Sequence, residues 1–127
     1  MNATIIFSYF TSAIFLLLGL GFLINPMGMI SSLGFRNLSA EALIDVRATY
    51  GGFLLFVGLL MTYWAYTGSL RSLLQLTAFS FTGFFIGRVI GLFQEPREQW
   101  GAHLYWAIFE AFYLVLTLYF YQQNQLN

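Results

Sequence analysis

The sequence predicts an all-α integral membrane protein, folded as a four-helix transmembrane bundle. Three observations lead to this fold class: 59% of the residues are hydrophobic, only 8% are charged, and the apolar residues fall into four long runs. A soluble domain carries about 25% charged residues, so this chain has too little polar surface to cover a globule in water. Each run is close to the roughly 20 residues that a helix needs to cross the hydrocarbon core.

Four predicted spans account for most of the chain, which we expect to be a single domain over residues 1–127. The first span covers about residues 5–24 and carries no charge. It lacks the basic segment and the small-residue cleavage site of a signal peptide, so we expect it to be retained. The other spans cover about residues 43–66, 70–93 and 101–121. A similarity between residues 21–26 and 91–96 raises the alternative of two duplicated helical hairpins.

Composition excludes several classes of function. The chain has no cysteine, which rules out disulfides, thiolate metal ligands and cysteine nucleophiles. Five basic and five acidic residues balance, so no basic field exists for binding nucleic acid. A single histidine and scattered carboxylates do not give the ligand spacing of a metal site, and no cofactor is expected.

Charges are distributed unevenly over the predicted topology. The loops between spans one and two and between spans three and four, with the adjoining helix ends, hold most of them: Arg36, Glu41, Asp45, Arg47, Arg88, Glu95, Arg97 and Glu98. The opposite face has Arg71 alone, and Glu110 lies within the fourth span. Because arginines in short loops favour the cytoplasmic side, we expect the charged face to be cytoplasmic.

Three charged residues are predicted to lie inside the membrane. From the helical rise, Arg47 lies about 6 Å, Arg88 about 7 Å and Glu110 about 13 Å from the charged face. An ionised carboxylate in hydrocarbon must be paired, protonated or hydrated, so we expect Glu110 to face the interior and to meet Arg88 or Arg47. His103 lies on the same helical face as Glu110, either as an interfacial polar residue or as its partner in proton exchange. Asp45 belongs to an acidic rim on span two.

Glycines at two places predict close helix packing. Gly83, Gly87 and Gly91 form a small-xxx-small ladder on span three, suited to packing within the monomer or in a homodimer. Gly51 and Gly52 on span two are also predicted to allow a neighbouring helix to approach, since no strand precedes them as in a phosphate loop.

Three stretches together resemble a known family. "VRATYGG" (residues 46–52), "GRVIGL" (residues 87–92) and the following Glu110 resemble domain-of-unknown-function family 4345, small bacterial four-span membrane proteins. The similarity extends over nearly the whole chain. One departure is that Gln94-Glu95-Pro96 stands where the family commonly has Asp-Gly after the arginine-bearing helix. The resemblance implies a bacterial inner-membrane protein and supplies no activity.

Three classes of function follow from the intramembrane charges. Asp45, Arg47, Arg88, His103 and Glu110 form the candidate ligand-binding or ion-pair cluster. The favoured hypothesis is binding or transport of a small anionic or amphipathic, lipid-like molecule, because arginines grip carboxylates and phosphates bidentately. One alternative is an accessory subunit of a larger membrane complex, or a homo-oligomer, with the charges as structural ion pairs. The other is an isomerase-type membrane enzyme with a carboxylate acid/base, which the lack of a recognisable catalytic motif disfavours.

Overall fold

The computed structural model describes residues 2–126, which are almost entirely helical and form no strand. Four helices in it are long and apolar enough to cross a membrane: Ala3–Ile24, Ala40–Thr67, Leu70–Gln94 and Gly101–Gln125. The predicted all-α class with four spans is therefore confirmed. The chain has the helices of a multi-pass membrane protein. It divides into two compact units, the first ending at Ser69 and the second beginning at Leu70. The single domain and the hairpin duplication stay predictions.

The first unit begins with helix α1 (Ala3–Ile24), which packs against helix α4 (Phe53–Thr67). The Asn2 side chain caps the start of α1 by accepting from the Thr4 N–H at 3.2 Å. Asn25 ends α1 and caps the short helix α2 (Pro26–Ser31), whose first position is the proline. Proline is well suited to this position because its missing N–H would have no helical partner there.

The second span is one continuous helical rod with a change of winding near its start. Helix α3 (Ala40–Val46) passes into a π-helical segment (Arg47–Gly52) and then into α4. The rod starts at Ala40, three residues before the predicted span, because the Ser39 hydroxyl caps it as its sequence position indicates, accepting from the Ala42 N–H at 3.1 Å. The π turn was not predicted from the sequence. Such turns occur frequently at functional sites.

The contact between α1 and the second span depends on three glycines. A Cβ at Gly19 would overlap the Leu55 backbone, and one at Gly58 would lie 2.8 Å from the Leu16 nitrogen. A Cβ at Gly51, in the π segment, would lie 2.8 Å from the Leu23 side chain. Small residues let helix backbones approach closely where there is no water to expel. Of these three glycines, only Gly51 was predicted from the sequence to allow close packing.

The α1 helix also buries small hydroxyl side chains that the sequence analysis did not single out. They are all at most 2% exposed: Thr4, Ser8, Thr11 and Ser12. The Ser8 hydroxyl donates to the Thr4 carbonyl at 2.8 Å and that of Ser12 to the Ser8 carbonyl at 2.8 Å. Bonds to carbonyls of the preceding turn give the Ser8 and Ser12 hydroxyls partners within their own helix. The signal in the sequence is their spacing of three or four residues within an uncharged span.

The second unit is a helical hairpin of α5 (Leu70–Gln94) and α6 (Gly101–Leu126), joined through a 3-10 turn (Arg97–Gln99). The two helices pack through aromatic contacts, with the Phe81 and Tyr113 rings stacked at 4.4 Å between centroids. The α6 helix continues five residues beyond the predicted end at residue 121, as far as Leu126. This hairpin carries the buried charges.

Candidate functional site

An ion pair between Arg88 and Glu110 lies in the contact between α5 and α6. The Arg88 Nη2 donates to Glu110 Oε1 at 2.7 Å, and its Nε donates to Oε2 at 2.9 Å and to Oε1 at 3.1 Å. This is the two-pronged geometry that makes arginine–carboxylate pairs strong and directional. The Glu110 side chain is 6% exposed and that of Arg88 is 21% exposed. The sequence expectation left two partners open for Glu110, and the structure brings it to Arg88.

The helical geometry explains why these residues meet. Glu110 shares a face of α6 with Tyr113 and Thr117, which are 3% and 0% exposed, so its carboxylate is directed into the seam with α5. A carboxylate there would be left without water. The guanidinium of Arg88 supplies both the opposite charge and the hydrogen bonds that compensate for lost hydration.

His103 completes the cluster. Its Nδ1 lies 3.0 Å from Arg88 Nη1. Because a guanidinium can only donate, Nδ1 must accept, and the ring is then the neutral tautomer with its proton on Nε2. Arg88 therefore joins His103, near the start of α6, to Glu110 deeper along it. We call Arg88, His103 and Glu110 the buried cluster.

The buried cluster keeps some hydrogen-bonding capacity. A guanidinium has five N–H groups, and the bonds above use the Nε group, one on Nη1 and one on Nη2. One N–H on each terminal nitrogen thus has no partner among the described residues. Arg88 is also the more exposed member of the pair. A further acceptor could therefore reach the cation without first breaking the bond to Glu110.

A groove of about 310 Å³ lies beside the seam that holds the buried cluster. Its lining is apolar and comes from both helices of the hairpin: Phe85, Val89, Leu92, Phe93, Trp100, Leu104, Ala107, Ile108 and Ala111. Leu92 lies one turn from Arg88 on α5, and Ala107 lies about one turn from both His103 and Glu110 on α6. The volume is at the small end of the range for ligand pockets, about 300–1,000 Å³. No pattern in the sequence predicted the groove.

Trp100 marks the end of the groove nearest the turn between α5 and α6. The Arg97 guanidinium carbon lies 5.7 Å from the centroid of the Trp100 ring, which is within reach of a cation–π interaction. The Trp100 Nε1 donates to the Glu95 carbonyl at 3.3 Å, which fixes the ring at the turn. A cation therefore lies next to a residue that lines the groove.

The two remaining members of the sequence-predicted cluster lie in the first unit. Asp45 is exposed in the last turn of α3. Arg47 is exposed at the start of the π segment, and its Nε donates to the Leu23 carbonyl at 3.3 Å. That carbonyl is in the last turn of α1, where the helix dipole is negative and the carbonyls lack helical partners. Arg47 therefore stabilises the end of α1.

Replacing Arg47 by glutamine should weaken this contact without affecting the buried cluster. We expect a loss of about 0.3–1 kcal/mol in the free energy of unfolding, since the bond is exposed. Denaturant titration of the purified protein measures it. Arg36→Gln, which removes another exposed arginine of the same face, is the control and should cost less. Equal effects of the two variants would contradict the capping role of Arg47.

Four of the five glycines predicted to pack are not at a close helix contact within their own unit. A Cβ at Gly83, Gly87 or Gly91 would meet no other atom within 4 Å, and one at Gly52 would come no nearer than 3.7 Å to the Arg47 carbonyl. The ladder on α5 therefore lies outside the seam with α6, which uses the face of Phe81 and Arg88. A role for the ladder in a homodimer stays a prediction.

Metal-ligating side chains are dispersed over the described residues. Among residues 2–126, no three histidine, aspartate or glutamate side chains gather closely enough to hold a metal ion. The two groups that could bind one in the buried cluster, Glu110 and His103, both face the Arg88 guanidinium.

Four apolar spans with an ion pair inside the second hairpin define a class: small multi-pass membrane proteins with a buried polar cluster. Within that class, the chain belongs to the family described as Domain of unknown function (DUF4345), whose model matches residues 3–121. No curated protein and no solved structure matches the chain significantly. The family resemblance predicted from the sequence is thus confirmed, and it carries no activity.

Proposed function

We propose that this protein binds a small amphipathic anion within the membrane. The apolar part of the ligand lies in the groove between α5 and α6, and its anionic group interacts with Arg88. In this proposal the protein resides in the bacterial inner membrane with its charged loops facing the cytoplasm. The observation that carries the proposal is the position of a wholly apolar groove one helical turn from the buried cluster.

The shape of the groove favours an amphipathic ligand over a simple ion. All nine residues that line it are apolar, so a hydrated inorganic ion would lose water there without gaining partners. An apolar chain or ring fills such a space favourably. The anionic end can use the N–H groups of Arg88 that Glu110 and His103 leave unengaged, because guanidinium favours carboxylate, sulfonate and phosphate groups.

The turn of the hairpin favours an anion in particular. Arg97 lies against Trp100 at the end of the groove, and cations beside a cleft raise the local concentration of anions. An anion arriving from the charged face would meet Arg97 first and Arg88 deeper along the same hairpin. Arg97 is exposed and Arg88 is half-buried, as this order requires.

The accessory-subunit alternative has one observation in its favour. The Gly83–Gly87–Gly91 ladder is open on α5, and small residues of this kind let another helix approach. Under this hypothesis Gly87→Leu should lower the molecular mass of the purified complex. The isomerase alternative lacks such support, because no carboxylate lines the groove and both Glu110 oxygens accept from Arg88.

Filling the groove should weaken binding of an amphipathic anion. Ala111→Phe places a ring in the groove. We expect it to weaken the binding of octyl sulfonate, measured by calorimetry on the protein in phosphatidylcholine nanodiscs, by at least about tenfold. This corresponds to about 1.4 kcal/mol of binding free energy. Empty nanodiscs give the blank for partition of the probe into lipid.

The matched control is Val115→Phe, which adds a ring one turn further along α6 at a residue that is 67% exposed and outside the groove. It should bind octyl sulfonate as the wild type does. Methyl sulfonate, which has the same head group without the chain, should bind more weakly than octyl sulfonate. Equal binding by Ala111→Phe and the wild type would rule out the groove as the site.

A further inference from the structure

The buried cluster constrains how any anion can bind at Arg88. The Arg88–Glu110 pair is neutral as a whole, and the neutral His103 ring adds no charge. An anion that joins this pair would leave one uncompensated negative charge in the membrane interior. Such a charge is costly in a membrane interior, because Glu110 is only 6% exposed and already neutralises Arg88. Charge balance at this site therefore needs one more positive charge per anion.

We propose that the anion binds together with one proton, which Glu110 takes up. This inference rests on the proposed function and specifies its ligand as a monoanion bound with a proton. The anionic group first accepts from the N–H groups of Arg88 that Glu110 and His103 leave unengaged, and once Glu110 is protonated the anion is the charged partner of the guanidinium. Glu110 becomes a neutral acid that donates its new O–H. No covalent bond other than that O–H forms, and the site carries the same net charge before and after binding.

Glu110 is the acceptor that the geometry favours. Within the hairpin, the charged or titratable groups around it are Arg88 from α5, and His103 and Tyr113 from α6. Arg88 remains charged at all relevant pH values. His103 can also take a proton, but Nδ1 faces Arg88, and a protonated ring would place a donor against a donor. The Tyr113 ring is stacked on Phe81. Its phenol group already carries a proton and cannot take up another.

His103 then has a positioning role. It lies near the start of α6, closer to the charged face than Glu110 is, and holds Nη1 of Arg88. When the anion takes the place of Glu110 as the charged partner, this bond keeps the guanidinium in the seam. We therefore expect His103 to affect how tightly the anion binds and not how many protons accompany it.

The first test counts protons on the wild-type protein. Octyl sulfonate is a suitable probe because it stays anionic throughout the pH range of the experiment. Calorimetry at pH 7.5 in two buffers with different ionisation enthalpies gives the number of protons taken up. We expect about one proton per anion, with affinity falling about tenfold per pH unit wherever free Glu110 is ionised.

The second test assigns the proton to a residue. Glu110→Gln keeps a hydrogen-bond acceptor for Arg88 and cannot ionise, so its binding should take up no proton and should not vary with pH. His103→Gln should retain the uptake of about one proton even if its affinity is lower. Arg88→Gln should lose at least about tenfold in affinity at every pH.

The outcomes separate this inference from the proposed function. Binding by the wild type without proton uptake would overturn the inference and leave the proposed function standing. No binding at any pH would overturn both. Proton uptake that persists in Glu110→Gln and disappears in His103→Gln would overturn the assignment to Glu110. If Glu110→Gln does not fold, the proton count on the wild type still decides whether binding and protonation are coupled.

Discussion

Replacing Glu110 by leucine is expected to cost about 3–5 kcal/mol in the free energy of unfolding, the usual effect of removing one partner of a buried ion pair. The variant leaves the guanidinium of Arg88 in the seam between α5 and α6 without its counter-charge. Of its bonding partners, only His103 Nδ1 would remain. Thermal or denaturant unfolding of the purified protein measures the loss.

A double variant separates the effect of losing the charges from the effect of losing side-chain volume. Arg88→Met combined with Glu110→Leu removes both charges and keeps apolar bulk in the seam. We expect it to be more stable than Glu110→Leu alone, because apolar replacement of a whole buried pair is often neutral. Together with the Arg88→Met single variant and the wild type, the two variants complete a double-mutant cycle that gives the coupling free energy between the two side chains. A double variant as unstable as the sum of the singles would contradict a direct interaction.

The control for this cycle lies at the opposite end of the same hairpin. The Gln75 side chain donates to the Tyr121 hydroxyl at 3.4 Å, and both groups are more exposed than Glu110. Gln75→Leu should therefore cost no more than about 1 kcal/mol. If Gln75→Leu lowered the free energy of unfolding as much as Glu110→Leu does, substitutions throughout the hairpin would have similar effects. The ion pair would then make no exceptional contribution to stability.

Alanine substitution of glycines should give effects of opposite sign on the two units. Gly19→Ala and Gly58→Ala add a methyl group against backbone atoms of the facing helix, which cannot move aside as a side chain can. We expect each to cost about 1–3 kcal/mol, the usual range for overpacking. Unfolding of the purified variants, monitored by circular dichroism, measures the change.

The matched controls are Gly83→Ala and Gly87→Ala, where the added methyl group meets no other atom within 4 Å. Alanine is the better helix former by about 0.5–1 kcal/mol in a helix interior, so these variants should be slightly stabilised. A large loss at Gly83 or Gly87 would show that a second helix covers the ladder, as in the predicted homodimer. It would then favour the subunit hypothesis over binding in the groove.

The sequence determined the fold class because hydropathy acts on long segments. Four predominantly apolar runs of sufficient length can only satisfy their backbone groups in hydrocarbon as helices, whatever their neighbours are. The contact between Glu110 and Arg88 was partly predictable for a related reason. A carboxylate placed that deep requires a partner, and only arginines lie at comparable depth. The choice between Arg88 and Arg47 was left open because it depends on which helices pack together.

Only the tertiary structure decided the features that depend on which way a side chain points around its helix and on which helix lies opposite it. The π segment shifts the faces of the second span, so a regular α-helical period cannot predict which way Arg47 and Gly52 face. Arg47 accordingly reaches the end of α1. Glycines on α5 and α4 look alike in the sequence, yet only those opposite another backbone are in close contact. The apolar groove also depends on helix packing. Each of its residues is typical of a membrane span, and only the packing of α5 against α6 brings them together near Arg88.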